Sequence, residues 1–531
     1  MHGQMTINAS NTLVSRVHPY SRPTVVIISL ALAAACARAD DAALTTSAMS
    51  APLLATVVVD GSTAYDAPRL FPAYRDQLGH PIARESARAV ADAVVAIYEQ
   101  DGFVKPEVAL DDSMTGRGVL RMRVHEAQIT RVSYEGDTDR YRDEMKRIAA
   151  RLERARPLRR EDVPQALSEL RRLAGVTVTA STRRDTEVPN AFELIVRAEY
   201  SPVDGVVRMN NRGTDQVGPA FVMGQFFVNG LGSQGKLGLI FAAATDHEEY
   251  LGGGLYFDTA TASGTHFSTL LYKSQSAPNE APLDLDDEYL REHATLRLQR
   301  PLQMEGSTSL TFGFAFDAED LTINRDDSEI RQERLRVVEA ALRAGWRSAG
   351  MQYTANLQMR RGLDGAGAGL QAPDLVNDPR RVDFLVTSFS GSVYRRFNTD
   401  WSMRFDALAQ HTGYVLPDSE RFKIGGDRLG RGFEVAEIAG DQGIGGKIEL
   451  RRDLASTEGL LGRLSAYAFY DIGAAWKQDM PGRESAATAG TGFAIQGSTL
   501  TGYLEVAAPL TGADIEGKHH PSVFAELSYR F

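Results

Sequence analysis

The sequence predicts an exported chain in two parts: α+β repeats, then an all-β, 16-stranded antiparallel transmembrane β-barrel. Three observations lead there. A β-α-α-β-β unit occurs twice between residues 53 and 202. From residue 203 to 531, apolar and polar residues alternate in segments of about ten residues, the length a tilted strand needs to cross a bilayer. The connectors between those segments are alternately short and long, as in an outer-membrane barrel.

The chain has 531 residues, too many for one small domain. Its formal net charge of −11 argues against nucleic acid as a partner. Residues 1–39 read as a secretory signal. Arg16 and Arg22 precede the apolar run "TVVIISLALAAACA", and Ala37 and Ala39 stand where a signal peptidase reads small residues. The run is too short for a transmembrane anchor. A lipoprotein would need lipidation at Cys36, where Ala33 replaces the usual Leu. Cys36 is the sole cysteine, so cleavage after Ala39 leaves no disulfide and no thiol nucleophile. No later segment offers 18 consecutive apolar residues, so any membrane crossing falls to strands.

After a short linker, 40–52, the first repeat covers 53–126. It opens with the apolar strand "LLATVVVDGS", then a helix-like segment. In the helix that follows, Val90, Val94, Ile97 and Tyr98 share one face and Gly102 supplies the stop. Strands "FVKPEVAL" and "GVLRMRVHE" close it. The second repeat, 127–202, has the same order: "ITRVSYEGD", a charged helix, a helix with Val163, Leu167 and Leu170 on one face, a stop at Gly175, and two strands.

The barrel, 203–531, is read as strands near 203–212, 219–229, 235–244, 250–259, 265–274, 291–301, 307–317, 332–346, 350–361, 382–396, 399–410, 443–453, 463–476, 488–497, 499–509 and 521–531. In "MQYTANLQM", Met351, Tyr353, Ala355, Leu357 and Met359 oppose Gln352, Thr354, Asn356 and Gln358. The segment 331–346 also reads as a helix. Long outer connectors are expected at 275–290, 318–331, 362–381 and 411–442. The last strand carries Val523, Ala525, Leu527, Tyr529 and Phe531 on its apolar face. Leu527, Tyr529 and Phe531 resemble the terminal signal read by the barrel-assembly machinery of Gram-negative bacteria.

The sixth outer connector contains "GGDRLGRGFEVAEIAGDQG", glycine-rich with Arg431 between two glycines. In "AFYDIGAAW", alternation turns Phe469, Asp471 and Gly473 to the lumen and Tyr470 and Ile472 to lipid. A lumen carboxylate and an arginine on a long loop suggest an ion pair, with glycines letting the loop pass close to the wall.

"GRGF" (Gly430, Arg431, Gly432, Phe433) resembles the V-R-G-[FY] loop motif, and "FYDIG" matches the F-x-D-x-G strand motif, of outer-membrane assembly and secretion barrels. Two polypeptide-transport-associated (POTRA) domains before a 16-stranded barrel resemble the two-partner secretion transporters, the haemolysin or adhesin secretion/activation proteins. The resemblance covers about residues 53–531. It implies an outer-membrane translocator, with its POTRA domains in the periplasm, that exports an unfolded partner polypeptide driven by folding outside the cell. Arg431 and Asp471 would form the functional pair, with Gly432 and Phe433 shaping the loop tip. Membrane lipid, lipopolysaccharide and the assembly machinery would be the other partners. Two departures stand out: Gly430 where the motif often has Val, and only about 13 residues (40–52) where many members carry a plug helix and linker. A barrel insertase is the alternative, though insertases usually carry more repeats. A passive porin or surface receptor is the third reading, and a porin needs no such repeats.

Residue patterns for other chemistry are sparse, so neither an enzyme nor a cofactor is expected. His247, Glu248 and Glu249 sit in an outer loop without a second ligand at helical spacing. His519 and His520 lie in the last outer loop. "SFSGS" lacks the first glycine of a nucleophile elbow. "DLDDEYL" (284–290) and "NRDDSE" (324–329) read as solvated acidic loops, and "GAGAG" (365–369) as a flexible loop.

Overall fold

The structure, a computed structural model, describes residues 52–531 apart from 112–117, 138, 215–216, 233, 262, 279–286, 306–307, 327, 349, 372–377, 457–458, 460 and 513–519. The signal segment and His519 lie outside the described residues. Two compact units divide at residues 200/201.

The first unit holds two copies of one topology. In the first, β1 (Thr56–Asp60), a short helix α1 (Ala67–Leu70), α2 (Arg84–Gln100), β2 (Glu107–Asp111) and β3 (Val119–His125) follow in order. The last strand sits in the middle, parallel to β1 and antiparallel to β2. The helix-like segment proves to be one α turn followed by two 3₁₀ turns, 71–73 and 75–77. The second copy repeats the pattern with β4 (Gln128–Gly136), α3 (Arg142–Arg154), α4 (Asp162–Arg171), β5 (Val176–Arg184) and β6 (Ala191–Tyr200), sheet order β4-β6-β5. Gly102, next after the cap residue Asp101, takes φ 84°, a left-handed value that stops α2, while Gly175, at φ 75°, lies beyond the end of α4 and turns the chain into β5. Val90, Val94 and Tyr98 of α2 pack on Leu120, Met122 and Val124 of β3.

The copies are tied at one joint. Val104 N–H donates to Leu158 O (2.9 Å) and Arg160 N–H to Gly102 O (3.0 Å). Asn190 Nδ2 donates to His125 O (2.8 Å) and Lys105 O (3.2 Å), and the Arg159 guanidinium lies 4.5 Å from the Phe103 ring centroid.

Glu126 is the polar knot of the first copy. It accepts from Thr63 N (2.8 Å), Ala64 N (3.0 Å), Tyr98 OH (2.6 Å) and the Thr63 hydroxyl. Burial alone would raise its pKa, but these donors outweigh burial and hold it below the usual value. A depressed folded-state pKa adds stability above the unfolded value and loses it as pH falls through the folded one. Glu126→Gln should therefore speed amide hydrogen exchange across residues 53–126 at pH 7, by a stability loss of about 1 kcal/mol. The difference from wild type should shrink toward pH 3; a gap that does not change with pH would contradict the assignment.

The second unit is a closed antiparallel barrel. Its long strands are β7 (Val203–Asn210), β8 (Phe221–Leu231), β9 (Gly235–Ala244), β10 (Tyr250–Ala260), β11 (His266–Ser276), β12 (Asp287–Glu305), β13 (Thr308–Arg325), β14 (Ser328–Ser348) and β15 (Met351–Gly362). Past the three-residue β16 (Gly369–Gln371) come β17 (Leu385–Arg396) and β18 (Trp401–Thr412). The short pair β19 (Phe422–Ile424) and β20 (Ile438–Gly440) leads to β21 (Gln442–Ser456), β22 (Arg463–Trp476), β23 (Glu484–Gln496), β24 (Leu500–Pro509) and β25 (Ser522–Arg530). Sixteen long strands close the wall, and β25 pairs with β7 at the seam. Closure removes both sheet edges, as a bilayer requires. Leu239, Leu251, Leu296, Phe314, Leu357 and Phe493 are exposed on the outside, where lipid and not water would meet them. No helix among the described residues is long and apolar enough to cross a membrane.

Two expectations fail here. The connector 318–331 is strand: β13 runs on to Arg325 and turns into β14, whereas 332–346 is strand as read, not the alternative helix. The acidic stretches flanking that turn are not simply solvated, because buried Asp287 accepts Arg325 Nε and Nη2 at 2.6 and 2.7 Å. β14, with 21 residues, is about 70 Å long and far exceeds an apolar band about 25 Å tall even when tilted. The sheet β12–β14 therefore rises beyond the membrane.

Candidate functional site

The connector between β18 and β21, residues 413–441, carries the glycine-rich stretch. The β19–β20 ladder folds it back on itself, and its tip lies inside the barrel. Phe422, Ile424, Leu429 and Phe433 of the loop form one buried cluster with Ala475 and Ala486 of the wall. Each such side chain contributes about 2 kcal/mol by leaving water.

The wall makes room with glycines of its own. A Cβ at Gly443 would collide with the Phe422 ring and one at Gly445 with Leu429. At Gly473 it would come within 3.0 Å of both Ile424 and Leu429. In the loop, Gly430 has φ +83°, a left-handed turn that aims two successive amides at one carboxylate. Gly432 passes so near the wall that a Cβ would lie 2.9 Å from Pro509 N and from Thr488 Cγ2. Phe433 N–H closes the turn on Gly430 O at 3.0 Å.

Arg431 is the hub. Its Nε and Nη2 donate to Asp471 Oδ2 and Oδ1 at 3.1 and 2.9 Å, a bidentate fork. Oδ2 also accepts the backbone N–H of Gly430 (3.2 Å) and of Arg431 (3.1 Å). Nη1 donates to Glu449 at 3.1 Å, and the guanidinium stacks 3.4 Å from the Phe469 ring centroid. Asp471 is fully buried.

Residues that the sequence did not single out complete the cluster. Glu505 accepts from Tyr467 OH (2.8 Å) and pairs with Arg212. Arg212 also donates to Tyr503 OH (2.7 Å) and to Arg431 O (3.4 Å). Arg451 pairs with Glu449 at 2.8 Å. Three guanidiniums thus face three carboxylates. Alternation alone could place most of these on the lumen face, but nothing in their spacing says which of them meet.

The remaining expected residues divide. Phe469 and Gly473 share the inner face with Asp471, while Tyr470 and Ile472 point out. Leu527 and Tyr529 face outward. Phe531 sits at the seam, exchanging two backbone hydrogen bonds with Gly205 (3.1 and 3.2 Å), its ring 5.6 Å from Phe226. His247, Glu248 and Glu249 gather no further ligand, and no group of three metal-binding side chains occurs among the described residues.

Fold and site define a class: a 16-stranded β-barrel of the outer-membrane kind, preceded in sequence by paired α/β units, with a long connector pinned inside its lumen. Residues 290–497 match the model of a family described as haemolysin secretion/activation protein ShlB/FhaC/HecB. Together they support a two-partner secretion outer-membrane transporter, whose partner is a secreted protein. CdiB from Escherichia coli has the same fold, with TM-score 0.73 and 19% identity over 93% of each chain. CdiB from Acinetobacter baumannii aligns with TM-score 0.63 and 13% identity over 90% of each chain. BamA from Haemophilus ducreyi lacking POTRA domains 1–3 is a distant fold relative, with TM-score 0.50 and 13% identity over 90% of this chain and 99% of that one. No curated protein sequence matches.

Proposed function

We propose that this translocator captures its partner unfolded on the two α/β units, 53–126 and 127–202 acting as POTRA domains, and passes it through a lumen gated by the 413–441 loop. The observation that carries the reading is the Arg431–Asp471 fork, which pins a long outer loop inside the channel. For capture, β2 and β5 are edge strands of their sheets, and an extended chain adds most readily to such an edge. The β4 edge is partly covered, since Glu153 accepts the Val132 amide at 2.9 Å. Around the barrel, lipid and lipopolysaccharide meet the apolar outer face, and the assembly machinery reads Leu527, Tyr529 and Phe531 during biogenesis.

A disulfide tests the gate. A Cβ at position 445 would lie 3.2 Å from Leu429 Cγ, close to the Cβ-to-distal-sulfur separation of a relaxed disulfide. In Leu429→Cys/Gly445→Cys the truncated residue 429 also relieves the collision. Oxidation should stop appearance of the secreted partner at the cell surface, and reductant should restore it, while each single cysteine exports. Undiminished export with the bond formed would rule out withdrawal of the loop tip as a step.

A further inference from the structure

The same loop is held by a second charged contact far from Arg431 in sequence. Glu420 ends the 3₁₀ turn Asp418–Glu420 just before β19. Its carboxylate accepts Arg360 Nε and Nη2 at 2.9 and 2.8 Å. Arg360 stands on β15, and its Nη1 also donates to Asp317 of β13 and Glu339 of β14, both at 2.8 Å. The Glu420 side chain is 9% exposed, so the pair is largely dry. Gln410 Nε2 donates to Glu420 O (2.8 Å) and Asp441 O (3.1 Å), tying both limbs of the loop to β18.

The two contacts have opposite polarity. At one the loop supplies the base and the wall the acid; at the other the loop supplies the acid and the wall the base. Their release differs too. Withdrawing Arg431 leaves Asp471, Glu449 and Glu505 with only Arg212 and Arg451 in direct contact. Withdrawing Glu420 leaves Arg360 still bonded to Asp317 and Glu339, with Arg297 a further 3.9 Å from Glu339. The guanidinium therefore keeps two carboxylates, and the dry site holds no stranded charge.

We propose that Glu420–Arg360 is a second and weaker anchor of the loop, which must let go along with Arg431 before the channel opens. The loop is then a strut across the lumen, joined to β15 by its acid and to β22 by its base. This rests on the reading of the loop as a gate. Glu420 and Arg360 are positioning residues for it.

The test is the open probability of the purified full-length protein in planar bilayers, compared at equal amounts of heat-modifiable, folded barrel. Glu420→Gln should raise it about threefold and Glu420→Asp, which keeps a carboxylate, less. Arg431→Ala should raise it about tenfold, and Glu420→Gln/Arg431→Ala by the product, because separate anchors contribute separately. If Arg431→Ala opens the channel while Glu420→Gln changes nothing in either background, the second anchor is overturned and the gate stands. If neither variant changes the open probability, gate and anchor fall together. Equal effects of Glu420→Asp and Glu420→Gln would also overturn it, since the carboxylate would then not matter.

Discussion

Arg431→Ala should reach the membrane at near wild-type level, migrate as a heat-modifiable barrel, and lose at least nine-tenths of partner export. An open channel is not an export cycle: without Arg431 the tip loses the fork to Asp471, Glu449 and the face of Phe469 that re-seat it in the lumen, so the channel stands open and export is lost. Breaking a largely buried pair costs on the order of 3 kcal/mol, small beside the ladder bonds of a closed barrel. Asp471→Ala should be milder. It leaves Arg431 beside Glu449 (3.1 Å) and Glu505 (3.8 Å), so the cation is not stranded. The double variant should be within about threefold of Arg431→Ala, because both changes remove the same contact. Export assays with matched immunoblots of boiled and unboiled samples decide it. Strictly multiplicative losses, or normal export from Arg431→Ala, would show that the two residues do not act as a pair.

Deleting residues 53–200 should abolish export and leave the barrel. The first barrel strand starts at Val203, and the wall closes through β25 and β7 without any strand from the repeats. What the deletion removes is two three-stranded sheets with their open edges at β2 and β5. Outer-membrane fractionation and heat-modifiability report the barrel; surface partner reports export. Undiminished export would exclude the repeats as the docking site.

Much of this architecture was legible because a barrel obeys a period of two and a bilayer enforces it. The strands around Met351–Met359 and Trp401–Phe405 were read nearly to their ends for that reason. The rule fails beyond the lipid. In "DAEDLTINRDDSEIRQER" the outward positions of β13 are Ala318, Asp320, Thr322 and Asn324, which suit water rather than lipid, and the stretch looked like a loop although Asp317–Arg325 pairs with β14. The Arg431–Asp471 contact was legible because an arginine between glycines and a lumen aspartate are each unusual in their setting. Glu420 and Arg360 were not, being two common charges 60 residues apart, joined only by the fold. The same holds for Arg212, two residues past the end of the first long strand, and Glu505 on the fifteenth.

The seam carries a consequence about time. Its ladder is short, Val206–Asn210 against Glu526–Arg530. Further bonds lengthen it: the Asn211 side chain donates to Val523 O (2.9 Å) and accepts from Ala525 N (2.7 Å), its backbone N–H donates to Ala525 O (3.3 Å), and Phe531 trades two bonds with Gly205. One side belongs to the first strand of the barrel to leave the ribosome and the other to the last. Until both exist the cylinder cannot shut, so its closure waits for the last long strand rather than the first hairpin. Phe531, whose ring lies against Gly205, is then part of the clasp, and closing the clasp removes the free strand edge by which an unfinished barrel could be told from a finished one.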